Sequence, residues 1–88
     1  MRIISGFHIR EILDEIIAVP TGEAAVRLSG IIGLNPVGRF LFEELQSEHT
    51  EQTLIAALMA EYEVEQETAE ADVREFLDNL RSSQLLEE

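Results

Sequence analysis

The chain has 88 residues, no cysteine, and 18 acidic residues against six arginines and no lysine, for a formal charge of −12. At this length folding buries only roughly 60 to 65% of the unfolded surface, so residues 1–88 are expected to form one domain with a small core, without disulfides or thiolate-bound metal. The charge repels phosphate backbones and anionic lipid, favours solubility and suits a basic partner; no apolar run reaches the ~20 residues of a membrane span and the N-terminus is too short for a signal peptide, so the expected location is the cytoplasm.

Residues 7–13 place Phe7, Ile9 and, less cleanly, Glu11 on one face against His8, Arg10 and Ile12. With residues 15–19 after the break at Asp14, they read as a β-hairpin. Pro20-Thr21-Gly22-Glu23 is a turn signal, and residues 24–29 are compatible with either a helical turn or the lead-in to a third strand. Ile31, Ile32 and Leu34 have strand character, Asn35 is a favoured helix N-cap, and Pro36 suits the first helical position, where its missing N–H removes no bond. Asn35 therefore divides a β half from an α half.

The first predicted helix covers residues 36 to about 46, with Val37, Phe40, Leu41 and Leu45 on one face and Phe42 turned toward a second contact. Thr50 caps the second, whose apolar face is Leu54, Ile55, Leu58 and Tyr62, with Ala56 and Met59 filling around it. The third covers about residues 67–82, burying Ala69, Val73, Phe76, Leu77 and Leu80, with Arg74 and Arg81 toward its negative end. Leu85 and Leu86 fold back beyond it. The order β-β-β-α-α-α predicts an α+β domain.

No catalytic apparatus is visible. His8 and His49 lack the spacing of a metal site, the glycines form no phosphate-binding loop, and Ser29, Ser82 and Ser83 have no nucleophile-elbow context. An acyl carrier would need an Asp-Ser-Leu attachment site opening a helix, and Ser29 instead stands between Leu28 and Gly30. No cofactor and no enzymatic activity are expected.

The ordered set of Leu34-Asn35, Gly38, Phe40-Leu41-Phe42, Leu45, Thr50, Tyr62, Asp72-Val73, Phe76-Leu77 and Leu85-Leu86 resembles the PqqD family, the recognition elements for precursors of ribosomally made, post-translationally modified peptides (RiPPs). The resemblance covers residues 7–86. It implies a winged helix-turn-helix-like fold, a three-stranded antiparallel sheet followed by three helices, and a non-catalytic adaptor. Such an adaptor binds a precursor's leader peptide and presents it to a modifying enzyme such as a radical SAM protein, a cyclase or a leader peptidase. Three positions depart from the family pattern: Phe42 replaces a common tryptophan, Ser47-Glu48-His49 lacks the usual glycine between helices, and Gln84 stands where glycine commonly closes the last helix. The two missing glycines put the turn geometries in question.

The physical basis for that role is an unpaired strand edge. A peptide laid antiparallel along Ile31, Ile32, Gly33 and Leu34 would satisfy the free backbone groups as an added strand. The resemblance places the specificity pockets between this strand and the third helix, where Asp72, Glu75, Phe76 and Asn79 are the candidate contacts. Asp72, Glu75 and Asn79 share a face by three-and-four spacing, although a core role for Phe76 and a merely solvated face for the carboxylates fit the pattern too. Arg74 and Arg81 could meet acidic leader residues or complement the helix end, and the second assignment is preferred.

Two other occupations of the fold are open: a homodimer pairing through the same strand edge, and duplex DNA held by the second and third helices. Charge opposes the latter, because Glu65, Glu67, Glu70, Asp72, Glu75 and Asp78 outnumber Arg74 and Arg81 along the would-be recognition helix and its approach. A random-sequence duplex titrated at low salt in a mobility-shift assay is expected to show no retardation.

Overall fold

The computed structural model describes residues 1–28 and 30–88. In chain order these form β1 (Arg2–Ile3), β2 (Phe7–Ile12), β3 (Glu15–Pro20), α1 (Glu23–Arg27), β4 (Ile32–Leu34), α2 (Pro36–Glu44), α3 (Glu51–Glu61), α4 (Gln66–Ser82) and β5 (Leu86–Glu87). The main sheet has the order β2-β3-β4 and is antiparallel throughout. It is therefore the expected α+β arrangement of three strands followed by three principal helices.

The hairpin pairs Phe7 with Pro20 through Ile12 with Glu15, leaving Leu13 and Asp14 as its two-residue turn. Both have positive φ, 50° and 69°, the twist that a tight hairpin requires. Ala18 is buried on the inner face, and the Phe7 ring meets Phe42 edge-on, with centroids 5.2 Å apart at 86°. Phe42 is 1% exposed, so the contact expected off the α2 stripe is part of the core.

One undecided run is resolved as helix, and one element lies outside the sequence expectation. The run before β4 contains the short helix α1, where Ala24 is buried and Arg27 pairs with Glu23 at 2.9 Å; Ser29, at the end of that undecided run, lies outside the described residues. The unexpected element is a two-stranded sheet in which Arg2 and Ile3 pair with Glu87 and Leu86. It buries Ile3 and Ile4, and the Ile4 amide donates to the Leu85 carbonyl at 2.9 Å. Gly6, with φ of 107°, joins this sheet to β2. A Cβ there would stand 2.5 Å from the Thr21 carbonyl oxygen, so only glycine fits.

The helices follow their sequence signals closely. Asn35 caps α2 and Thr50 caps α3, the latter through reciprocal bonds in which Thr53 takes the place usually held by Glu or Gln. Leu54 and Leu58 are buried on α3, but Ala56 and Met59 are exposed and do not fill the core as the spacing suggested. On α4, Ala69, Val73, Leu77 and Leu80 are buried as expected. Arg81 lies in the last turn of α4 as expected, whereas Arg74 lies mid-helix and its guanidinium is 3.6 Å from Glu51 at the start of α3. Arg39 joins α2 to the hairpin by bonding Glu43 on its own helix and Glu11 on β2; these hydrogen bonds raise its pKa above the usual arginine value.

Both turns close without a glycine. Between α2 and α3 no residue has positive φ, so no glycine is required. At the end of α4, Gln84 adopts φ of 58°, the Gln84 amide donates to Arg81 at 3.0 Å and the Leu85 amide to Leu80 at 2.9 Å. This is a Schellman closure, with Leu80 and Leu85 both buried as its apolar pair. A glutamine in the left-handed region is strained, and Gln84→Gly is expected to stabilise the fold by about 1 kcal/mol, read as a raised urea midpoint with unchanged slope.

Candidate functional site

β4 is hydrogen-bonded to β3 through the pairs Ile16 with Leu34, Ile17 with Gly33 and Ala18 with Ile32. Among the described residues its other edge has no strand partner. Its short length follows from its flanks: the strand ends at Asn35, whose side chain accepts from the Gly38 amide at 2.7 Å and turns the chain into α2. Pro36, at the first helical position, fits that turn because it needs no amide bond.

Beside the free edge lies an open cleft of about 390 Å³ between β4, the start of α2 and one face of α4. Ile32, Gly33 and Leu34 line it from the strand; Asp72, Glu75, Phe76 and Asn79 line it from α4. The structure thus brings together all the predicted site residues except Ile31, which precedes β4, is 58% exposed and does not line the cleft. The register explains this. Ile32 and Leu34 share one face of the strand by its two-residue period, and Ile31 falls on neither that face nor the ladder.

Phe76 is half-buried, so it serves core and cleft at once. Its ring passes close to the α2 N-terminus, since Phe76 Cε1 is 3.8 Å from the position a Cβ would take on Gly38. Val37, Leu41, Leu80 and Leu85 complete the apolar lining, and Asn35 and Ser83 add polar groups. Leu80 was reachable by i, i+4 spacing from Phe76. Leu85 was not, because it reaches the cleft only through the Schellman turn at Gln84.

The lining charges are all of one sign. Asp72 is half-buried and Glu75 exposed, and neither joins an ion pair among the described residues. No group of three or more His, Cys, Asp or Glu among those residues is arranged to hold a metal ion, and no helix there is long and apolar enough to cross a membrane. What the arrangement offers is backbone donors and acceptors along one wall, an apolar floor and two carboxylates on the opposite rim.

A three-stranded sheet whose short edge strand borders a helix-lined groove is the winged helix-turn-helix-like recognition fold. The chain belongs to the PqqD family: the model for coenzyme PQQ synthesis protein D (PqqD) matches residues 15–86. Among solved structures it is similar to TbiB1 in complex with the TbiA(beta) leader peptide, at 29% identity and a TM-score of 0.72, over 99% of this chain and 95% of that one. No curated protein matches it in sequence.

The cap at Asn35 fixes one end of the cleft. Asn35→Ala is expected to lower stability by about 1 kcal/mol in urea unfolding and to perturb the amide resonances of Gly33, Leu34 and Gly38 most strongly.

Proposed function

We propose that this protein is a non-catalytic adaptor that captures the leader segment of a ribosomally made precursor peptide as an added strand on β4 and presents the rest of that peptide to a modifying enzyme. The observation that carries this reading is the unpaired β4 edge lying directly beside the apolar cleft. Strand addition gives main-chain hydrogen bonds that tolerate many sequences, and the side chains of alternate peptide residues reach the cleft. TbiB1, similar over nearly the whole chain, was solved with a leader peptide bound.

The sheet has a second free edge on β2, but it suits a peptide less well. Arg10 and Glu11 occupy exposed positions there, and charged side chains along an edge discourage pairing. β4 instead presents Gly33, at whose Cβ position nothing lies within 4 Å, leaving room for an incoming backbone.

Ordering a disordered leader costs about 2 to 5 kcal/mol, so ladder bonds must be joined by apolar anchors in the cleft. Phe76, with Leu80 and Leu85 beside it, is the surface for them. The modifying enzyme, whether a radical SAM protein, a cyclase or a leader peptidase, would dock elsewhere and gain from the raised local concentration of the tethered core peptide, with no catalytic group supplied by the adaptor. A homodimer through the β4 edge would compete with the leader for the same backbone groups.

The test is fluorescence anisotropy with the labelled leader of the precursor encoded beside the gene. Saturable binding is expected, weakened about tenfold or more in Phe76→Ala and by N-methylation of alternate peptide amides, which removes ladder donors without altering the protein. Leader binding indifferent to both changes would contradict strand capture at this site. So would a sedimenting dimer that holds the edge and that leader fails to dissociate.

A further inference from the structure

Resting on the strand-capture reading, we infer that the cleft selects cationic leaders: it takes a strand with a lysine or arginine in its N-terminal part, facing Asp72 and Glu75, followed by an apolar residue over Phe76 and Leu80. The argument begins with what neutralises the protein's own carboxylates. Arg2, Arg27, Arg39, Arg74 and Arg81 each lie within 4 Å of an acidic side chain, namely Glu87, Glu23, Glu11 and Glu43, Glu51, and Asp78 and Glu88 respectively. None of these arginines lines the cleft, nor does Arg10. Asp72 and Glu75 thus stand beside an apolar floor without a cation of their own, where an incoming positive charge meets two carboxylates and no competitor.

The direction of the strand fixes where that charge must sit. The Arg27 guanidinium, at the end of α1 and five residues before β4, donates to the Gln84 carbonyl at 3.0 Å, so the chain approaches β4 from beside the C-terminal end of α4. Beyond the end of β4, Gly38 lies against Phe76, in the middle of α4. β4 therefore runs opposite to α4, and a peptide antiparallel to β4 runs along α4 in the helix's own direction. Its N-terminal part passes Asp72 and Glu75 before the later residues reach Asn79, Leu80 and Ser83. Alternate residues of the strand face the cleft, so the basic residue and the apolar anchor fall two or four positions apart.

The overall charge of −12 would draw any cationic peptide toward the protein, so the experiment must separate this general attraction from the local site. Binding of the gene-adjacent leader is measured by anisotropy at low and high salt for three proteins: the unaltered chain, Asp72→Asn/Glu75→Gln, and a control of equal charge change, Glu61→Gln/Glu63→Gln, at the exposed end of α3. The cleft variant is expected to bind about fivefold more weakly at low salt, with the difference shrinking at high salt, while the control changes less than about twofold. Changing the leader's N-terminal Lys or Arg to Gln in the bound segment should reproduce the loss and make the cleft variant no weaker than the unaltered protein.

Equal affinity of all three proteins, equal loss in both variants, or a tightly bound leader with no basic residue in that part would each overturn the charge rule. In all of these cases leader capture itself would still stand. Failure of the unaltered protein to bind the leader at all would instead remove the strand-capture reading and this inference with it.

Discussion

The bond from the Gly38 amide to the Asn35 side chain ends a strand and starts a helix within one residue. Its consequence is spatial. Because β4 stops at Leu34, α2 departs from the sheet immediately, and its first turn forms one end of the cleft instead of continuing the strand. The free edge of β4 and the face of α4 then border a groove at one end of which Phe76 lies against Gly38. A longer strand or a slower turn would place α2 where the groove now lies.

The other wall depends on how α4 is held. Leu77, Val73 and Ala69 are fully buried, and the Schellman turn brings Leu85 back under the helix, where the Ile4 amide bonds its carbonyl. The small β1-β5 sheet thus anchors the C-terminal end of α4 to the first residues of the chain. A wall packed in this way would let the short edge strand present its backbone groups in defined positions to the proposed peptide, lowering the ordering cost of its capture. In the proposed strand capture, affinity, direction and specificity would all come from one strand edge, one apolar floor and two carboxylates.

Much of this was legible in the residues. Asn35-Pro36 marked the strand-to-helix junction, Thr50 marked the start of α3, and the stripe on α4 gave its buried face; three-and-four spacing put Asp72, Glu75 and Asn79 on one face, and the family resemblance put that face beside the third strand. What escaped did so for physical reasons. Strands as short as Arg2–Ile3 and Leu86–Glu87 have no period to detect, and their pairing joins the two ends of the chain. The five-residue α1 is too short for a helical stripe. Ile31 has the same strand character as Ile32, and only the pairing register separates them. Ala56 and Met59 fit the α3 spacing but line an open groove beside Gln66, Glu70 and Arg74 of α4, a placement that local sequence does not encode.

The most direct test of leader capture is an amide NMR titration of the isotopically labelled protein with the leader encoded beside its gene. The account predicts saturable shifts concentrated at Ile32, Gly33 and Leu34 and along the α4 face bearing Asp72, Phe76 and Asn79, with β2 little changed. Shifts confined to β2, or none at all with the modifying enzyme also present, would contradict it.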